Sequence, residues 1–390
     1  MATIGIICEY NPFHLGHTSQ IDRIREQFGA DCSIVCLMSG NYVQRGEPAV
    51  FDRMLRAKAA LLTGANLVLE MPVTASLSSA EGFAQKGVGI LSPICDYLCF
   101  GTESADAEAI VSTAQTLLDP RFPSALKDAL KTGISFPAAR VQALTAMGSS
   151  GYLLSRPNDI LAVEYTKAIL QQNSTMKIYP IRRPGDYHAQ APDPENPSAT
   201  AIRKCIAAGA DYTCYVPTAA RNCFQNAPVH TLEAGEKAML YRLRTMEEEE
   251  FESLPYGSEG LWRRLMHACR EEGGLEEILT AAKTKRYTRS RLNRMVMCAF
   301  LKIDQTSLNA PAPYCRILAF DARGQKVLNS IKISSTLRPL GWHEDSDYGV
   351  LENRCNSLYG LFCRDVIPKA NQANKQRVMH CTITENSSQS

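Results

Sequence analysis

The sequence predicts an α/β protein in which a parallel-sheet domain is followed by a mainly helical domain with a few strands. Three observations carry this. Over the first hundred residues, apolar runs of strand type at Thr3–Cys8, Ser33–Met38, Asn66–Met71 and Tyr97–Gly101 alternate with helical patterns at Gln20–Gln27, Arg53–Leu62 and Ala80–Leu91. That order implies parallel pairing with right-handed crossovers. The stretch Ala189–Ser198, with Pro192, Pro194 and Pro197, reads as a linker. Beyond it the pattern is helical at Ala199–Gly209, Leu232–Leu243, Leu261–Glu272 and Leu275–Thr284, with strand-like runs only at Tyr314–Phe320 and Ile331–Ser334. A chain of 390 residues exceeds one ordinary core, so the expected domains are 1–190 and 191–390.

Between these blocks, Asp106–Leu170 is helical with a glycine-rich break at Gly148–Gly151, and Arg156-Pro157-Asn158-Asp159 starts a helix before Ile160–Ile169. A fifth strand is expected at Met176–Ile181, ending on Arg182-Arg183-Pro184-Gly185. The tail Ile383–Ser390 is polar and expected to fray. Net charge is +2, from 42 basic and 40 acidic residues, so the molecule is no polycation and any nucleic-acid contact must come from a local patch. The N-terminus lacks a basic region followed by an apolar stretch, and no run reaches about 18 apolar residues. The expectation is a cytoplasmic protein with no membrane contact and no implied protein partner. The 14 cysteines are scattered without a Cys-x-x-Cys and read as reduced, mostly buried thiols.

Chemistry concentrates at Ile7-Cys8-Glu9-Tyr10-Asn11-Pro12-Phe13-His14-Leu15-Gly16-His17-Thr18-Ser19-Gln20. A strand that ends at a turn and feeds a helix aims unpaired N–H groups and the positive helix dipole at whatever lies over the turn. An anion fits there. Gly16 lets a ligand approach the backbone, and His14 and His17, one helical turn apart, face the same ligand and can donate hydrogen bonds to phosphate oxygens. Two surface histidines or a zinc pair are the plainer readings, but zinc would need further ligands. Ser39-Gly40-Asn41, Glu70-Met71-Pro72 and Gly101-Thr102-Glu103-Ser104 follow the other strands, so four strand ends are expected to meet at one crevice.

The densest basic segment is Lys283-Thr284-Lys285-Arg286-Tyr287-Thr288-Arg289-Ser290-Arg291-Leu292-Asn293-Arg294, which carries no acid. A phosphate backbone suits it, and Tyr287 offers a ring for an exposed base. The alternative is a basic helix start balanced by acids folded nearby.

His-x-Gly-His after a first strand resembles the signature of the nucleotidyltransferase superfamily. The resemblance extends further. Glu9–His17, Met38-Ser39-Gly40-Asn41-Tyr42-Val43-Gln44-Arg45-Gly46-Glu47-Pro48-Ala49, Phe100–Ser104, Asn158-Asp159-Ile160-Leu161, Tyr187-His188, Ser198-Ala199-Thr200-Ala201-Ile202-Arg203 and Thr284–Thr288 together resemble the bacterial tRNA(Met) cytidine acetate ligase family. This implies a Rossmann-like nucleotidyltransferase domain followed by an RNA-binding domain. It also implies an activity: joining acetate to ATP as acetyl adenylate, with release of pyrophosphate, and acetylating N4 of the wobble cytidine, position 34, of elongator tRNA(Met).

By position, the resemblance implies that Ile7–Gln20, Gly101, Asn158 and Arg183 bind ATP. His14 and His17 would steady the α-phosphate, Gly101 would admit the adenosine, Asn158 would give a polar contact and Arg183 would hold phosphate. Magnesium would arrive with ATP and no metal ligand from the protein is expected. Arg203, Lys204, Lys285, Arg286, Arg289 and Arg291 are the candidates for gripping tRNA. A conventional nucleotidyltransferase that adenylylates a small phosphorylated metabolite is the alternative, and a non-catalytic RNA-binding protein is a weaker one.

Overall fold

The computed structural model describes residues 1–183, 197–311, 313–331, 337–339, 346–367 and 377–380. Its centre is a mixed sheet built from β1 (Thr3–Cys8), β2 (Ser33–Ser39), β5 (Leu67–Met71), β6 (Tyr97–Thr102), β7 (Lys177–Arg182), β8 (Cys315–Phe320), β9 (Leu337–Pro339) and β10 (Met379–His380). A short hairpin, β3 (Tyr42–Val43) and β4 (Glu47–Pro48), stands apart from it. The sheet order is β10-β8-β5-β2-β1-β6-β7, with β9 also paired to β8. All neighbours are parallel except β5 and β8. The central strands are apolar because helices cover both faces: every residue of β2 and β5 is buried.

Most predicted strands agree with this within a residue or two. The run predicted at Ile331–Ser334 falls largely outside the described residues, as do Pro184, Tyr187, His188, most of the predicted linker and the predicted division at residue 190. From residue 197 onward the chain returns to the sheet. Helices Ala199–Ala207 and Thr218–Phe224 share a core with β1, through Ile202, Ile206 and Phe224 beside Ile4 and Ile6, and β8 pairs with β5. A second core lies among helices Leu232–Arg244, Leu261–Glu271, Leu275–Ala282, Arg289–Leu301 and Asp347–Tyr359, joined by Tyr42, Val73 and Leu77 from the first half.

The β3–β4 hairpin docks on this helical core through Tyr42. Its turn uses Gly46 at φ 77°, and a Cβ there would lie 2.4 Å from the backbone nitrogen of Arg294, so only glycine lets the hairpin touch helix Arg289–Leu301. On the other side Tyr42 Oη donates to the carbonyl of Cys355 at 2.8 Å.

Candidate active site

The chain leaves β1 through Tyr10, whose φ of 45° is rare for an aromatic residue. Burial of the ring and contact of its hydroxyl with Cys36 Sγ at 3.3 Å hold it there. Helix α1 (Leu15–Phe28) then begins five residues before the predicted Gln20, because the histidines themselves cap it. His14 Nδ1 accepts from the Gly16 N–H at 3.1 Å, and His17 Nδ1 accepts from the His14 N–H at 3.2 Å. A side chain on Gly16 would come within 3.0 Å of the His14 ring, so the glycine clears space for this cap.

The capping bonds fix the chemistry of both rings. A ring nitrogen that accepts carries no proton, so in each neutral imidazole the proton sits on Nε2, which is left as a donor. Burial is the main cause that holds His14 at about 3, with the Arg183 and Arg203 guanidiniums adding to it. His17 is held well below 6.5 by burial, then by His14 and Arg183. Both rings are therefore neutral near pH 7, tilted against one another with centroids 3.8 Å apart.

They face a cleft of about 290 Å³ at the carboxyl ends of β1, β6 and β7. Of the predicted nucleotide residues, Ile7, Cys8, Glu9, Tyr10, Asn11, His14, Gly16, His17, Ser19 and Gln20 line it, together with Gly101, Asn158 and Arg183. Pro12, Phe13, Leu15 and Thr18 do not. Phe13 is fully buried against Tyr10 and His17. Arg182, expected beside Arg183 at the end of the fifth strand, lines the cleft as well. The sequence reading missed Arg23 and Arg45, and with Arg182, Arg183 and Arg203 they give the lining five guanidinium groups. Nothing in a lone arginine's sequence context distinguishes such a position from a surface charge.

The end of β6 is clasped to the start of helix Pro157–Gln171. Glu103 accepts from Asn158 Nδ2 at 2.6 Å and from the Asp159 N–H at 2.9 Å, while buried Asp159 accepts from the N–H groups of Glu103 and Ser104. This holds Asn158, whose Oδ1 accepts from Arg183 at 3.3 Å. Gly101 makes room for that arginine: a Cβ would sit 2.7 Å from Arg183 Cγ and Cδ.

Two strand ends predicted to open on the crevice do not. Ser39–Asn41 and Glu70–Pro72 are sealed by two buried arginines. Arg56 donates to the carbonyls of Phe51, Glu9, Ser39 and Gly40, and Arg53 pairs with Glu70 at 2.5 Å and reaches Asn356 at 2.9 Å.

The predicted RNA-gripping residues divide. Arg203 stands in the cleft and donates to the Asn11 carbonyl at 2.8 Å, whereas Lys204 is exposed on the outer side of the same helix. Lys285 and Arg286 are exposed. Arg289 pairs bidentately with Glu276, and Arg291 donates to the Tyr256 carbonyl at 2.9 Å and to Ser258 Oγ at 2.8 Å. Tyr287, expected to offer a ring to RNA, is only 5 % exposed and donates to the Glu259 carbonyl at 3.1 Å. A single basic run thus mixes helix-start contacts with solvent-facing cations.

A neutral imidazole pair at a helix start, facing an arginine-lined cleft beyond parallel strands, defines a nucleotidyltransferase of the α/β class. Comparison with known proteins specifies it. The HIGH nucleotidyl transferase family matches residues 1–366. The tRNA(Met) cytidine acetate ligase of a Geobacillus species is 34% identical over 349 residues, covering 85% of this chain and 86% of that one. The ligase of Clostridium tetani is 36% identical over 360 residues, covering 86% of this chain and 89% of its own. Among solved structures, apo TmcAL of Thermotoga maritima superposes with a TM-score of 0.89 at 27% identity, over 98% of this chain and 100% of that one. The same protein bound with alpha-thio ATP gives a TM-score of 0.86 at 27% identity, with the same coverage. The chain belongs to the HIGH nucleotidyl transferase family and, within it, to the tRNA(Met) cytidine acetate ligases.

Proposed function

We propose that this protein is an ATP-dependent ligase that forms acetyl adenylate in the cleft and acetylates N4 of the wobble cytidine of elongator tRNA(Met). The observation that carries the first step is the pair of neutral imidazoles, His14 and His17, whose Nδ1 atoms are occupied by capping bonds and whose Nε2–H groups remain as donors.

Acetate needs no general base, because a carboxylic acid of pKa about 4 to 5 is already ionised at neutral pH. Its oxygen attacks the α-phosphorus of ATP, the bond to the β-phosphate oxygen breaks, and pyrophosphate leaves. The protein's task is to bring two anions together. In this reading His14 and His17 donate to the α-phosphate oxygens as their charge grows, and the α1 N-terminus adds its dipole. Arg183, held by Asn158, and Arg203 bind the departing phosphates. Arg203 is thereby proposed for the nucleotide rather than for tRNA. Among the described residues no group of three or more His, Cys, Asp or Glu side chains is placed to hold a metal ion. Magnesium is proposed as the companion of ATP. In the second step the cytosine N4 attacks the acetyl carbon, AMP departs and the amine loses a proton. The base must be splayed from its loop to reach the cleft. Lys285 and Arg286 are proposed as outlying phosphate contacts. No helix among the described residues is long and apolar enough to cross a membrane. The cytoplasm is proposed as the site of the reaction.

The test is exchange of labelled pyrophosphate into ATP, with acetate and without RNA, in the wild type and His17→Ala. Exchange that requires acetate and is lost in the variant supports the reading. Failure with acetate, with other carboxylates and with tRNA present would move the assignment to a conventional nucleotidyltransferase, whose product keeps the nucleotide.

A further inference from the structure

The cleft does not end at the nucleotide residues. It runs into an open groove between α1 and β7, and Arg23, Ile181 and Arg182 line both. One helix face leads outward: His17, Gln20, Arg23 and Gln27 are spaced three, three and four residues apart, the repeat that keeps side chains aligned along a helix. The opposite wall is β7, the last strand of the sheet among the described residues. Arg23 spans the floor and donates to the Arg182 carbonyl at 2.8 Å, and the Arg182 side chain is exposed. Beside it lies the half-buried ring of Tyr179. That ring packs edge-on against Phe28 at 5.0 Å, and Phe28 packs on Tyr97 at 4.6 Å. Lys177, exposed at the start of the strand, lies 5.9 Å from the Tyr97 ring centre, and Glu26 is the groove's acid.

Cations in line with a braced aromatic ring are what single-stranded nucleic acid requires: the backbone follows the charge and a base stacks on the ring. Continuity with the cleft supplies the direction. A base entering the cleft to meet an acyl group at His14 and His17 carries its strand with it, and that strand must leave along a wall that tolerates phosphate.

We propose that the unpaired tRNA nucleotides adjoining the target cytidine lie in the α1/β7 groove, with Tyr179 stacking on a flanking base and Arg23 and Arg182 facing its phosphates. The proposal rests on the ligase reading above. It gives the molecule two separate RNA contacts, this groove beside the reacting base and the exposed Lys285 and Arg286 further out.

The test uses the full-length protein, unmodified elongator tRNA(Met), and the variants Tyr179→Ala, Tyr179→Phe and Gln27→Glu. Acetate-dependent pyrophosphate exchange without RNA should be unchanged in all three, which also reports folding. In tRNA acetylation, Tyr179→Ala should raise KM for tRNA about tenfold, the order contributed by one stacked base. Tyr179→Phe should behave as wild type because it keeps the ring. Gln27→Glu should raise KM several-fold, with the effect largest at low salt. Unchanged KM in Tyr179→Ala, or equal loss of exchange and acetylation, overturns the groove. Absence of exchange in the wild type, with and without tRNA, strikes instead at the ligase reading.

Discussion

The α1 junction and the basic segment 283–294 are both conspicuous in the sequence, yet folding treats them in opposite ways. At the junction, His14 and His17 use one ring nitrogen each for the backbone and keep the other for chemistry. In the basic segment the fold commits Arg289 to Glu276 and Arg291 to the Tyr256 carbonyl, and buries Tyr287. The difference lies in chemical capacity. A neutral imidazole has two distinct nitrogens and can cap and donate at once, whereas a guanidinium only donates, so the arginines of a segment that carries no acid turn to acids and carbonyls folded nearby.

The sharpest way to break the first half of that comparison is His17→Ala. Losing one preorganised donor to developing charge should lower acetate-dependent exchange by about 10²–10³-fold. If exchange drops less than about tenfold, His17 acts only as a cap.

A buried contrast comes next. Glu70 balances Arg53 and lies 3.8 Å from Arg316, all three out of solvent. Glu70→Ala removes the carboxylate that Arg53 pairs with in the core and should cost about 3–5 kcal/mol, read as a lower midpoint in urea. Gly46→Ala should cost about 1–3 kcal/mol, since its Cβ would meet the Arg294 backbone and its φ is positive.

Acid sharpens the comparison further. His14 falls from 6.5 to about 3 on folding, so below pH 6.5 the unfolded chain binds a proton that the native chain refuses. Stability is complete above that pH and should decline toward pH 3 by up to about 1.4 kcal/mol per pH unit for each such histidine. Denaturant titrations should show a shallower decline in His14→Asn.

The smallest effects fall on the basic segment, where exposure decides the outcome. Lys285→Glu and Arg286→Glu should weaken tRNA binding several-fold and leave stability unchanged. Arg291→Ala should cost about 1 kcal/mol of stability through its lost hydrogen bonds. Equal effects of all three on tRNA binding would show that the bonds of Arg291 yield to RNA.

Much of the fold was legible because it is local. Thr3–Cys8, Arg53–Leu62 and Ala80–Leu91 match their predicted bounds, since apolar periodicity, caps and glycines act over a few residues. The glycine between two histidines after a strand also carried its meaning, because strand, cap and helix dipole are neighbours along the chain. The start of α1 was misjudged only because histidine is an unusual cap.

What the tertiary structure alone decided involves partners far apart in sequence. It sealed two strand ends with Arg53, Arg56 and Asn356, moved Arg203 into the cleft, returned β8 to the sheet beside β5, and wedged Gly46 against helix Arg289–Leu301. A charge or a small residue has the same local signature whether it meets solvent, substrate or a distant carbonyl. Its partner is set by which surfaces the packing of the hydrophobic cores brings together.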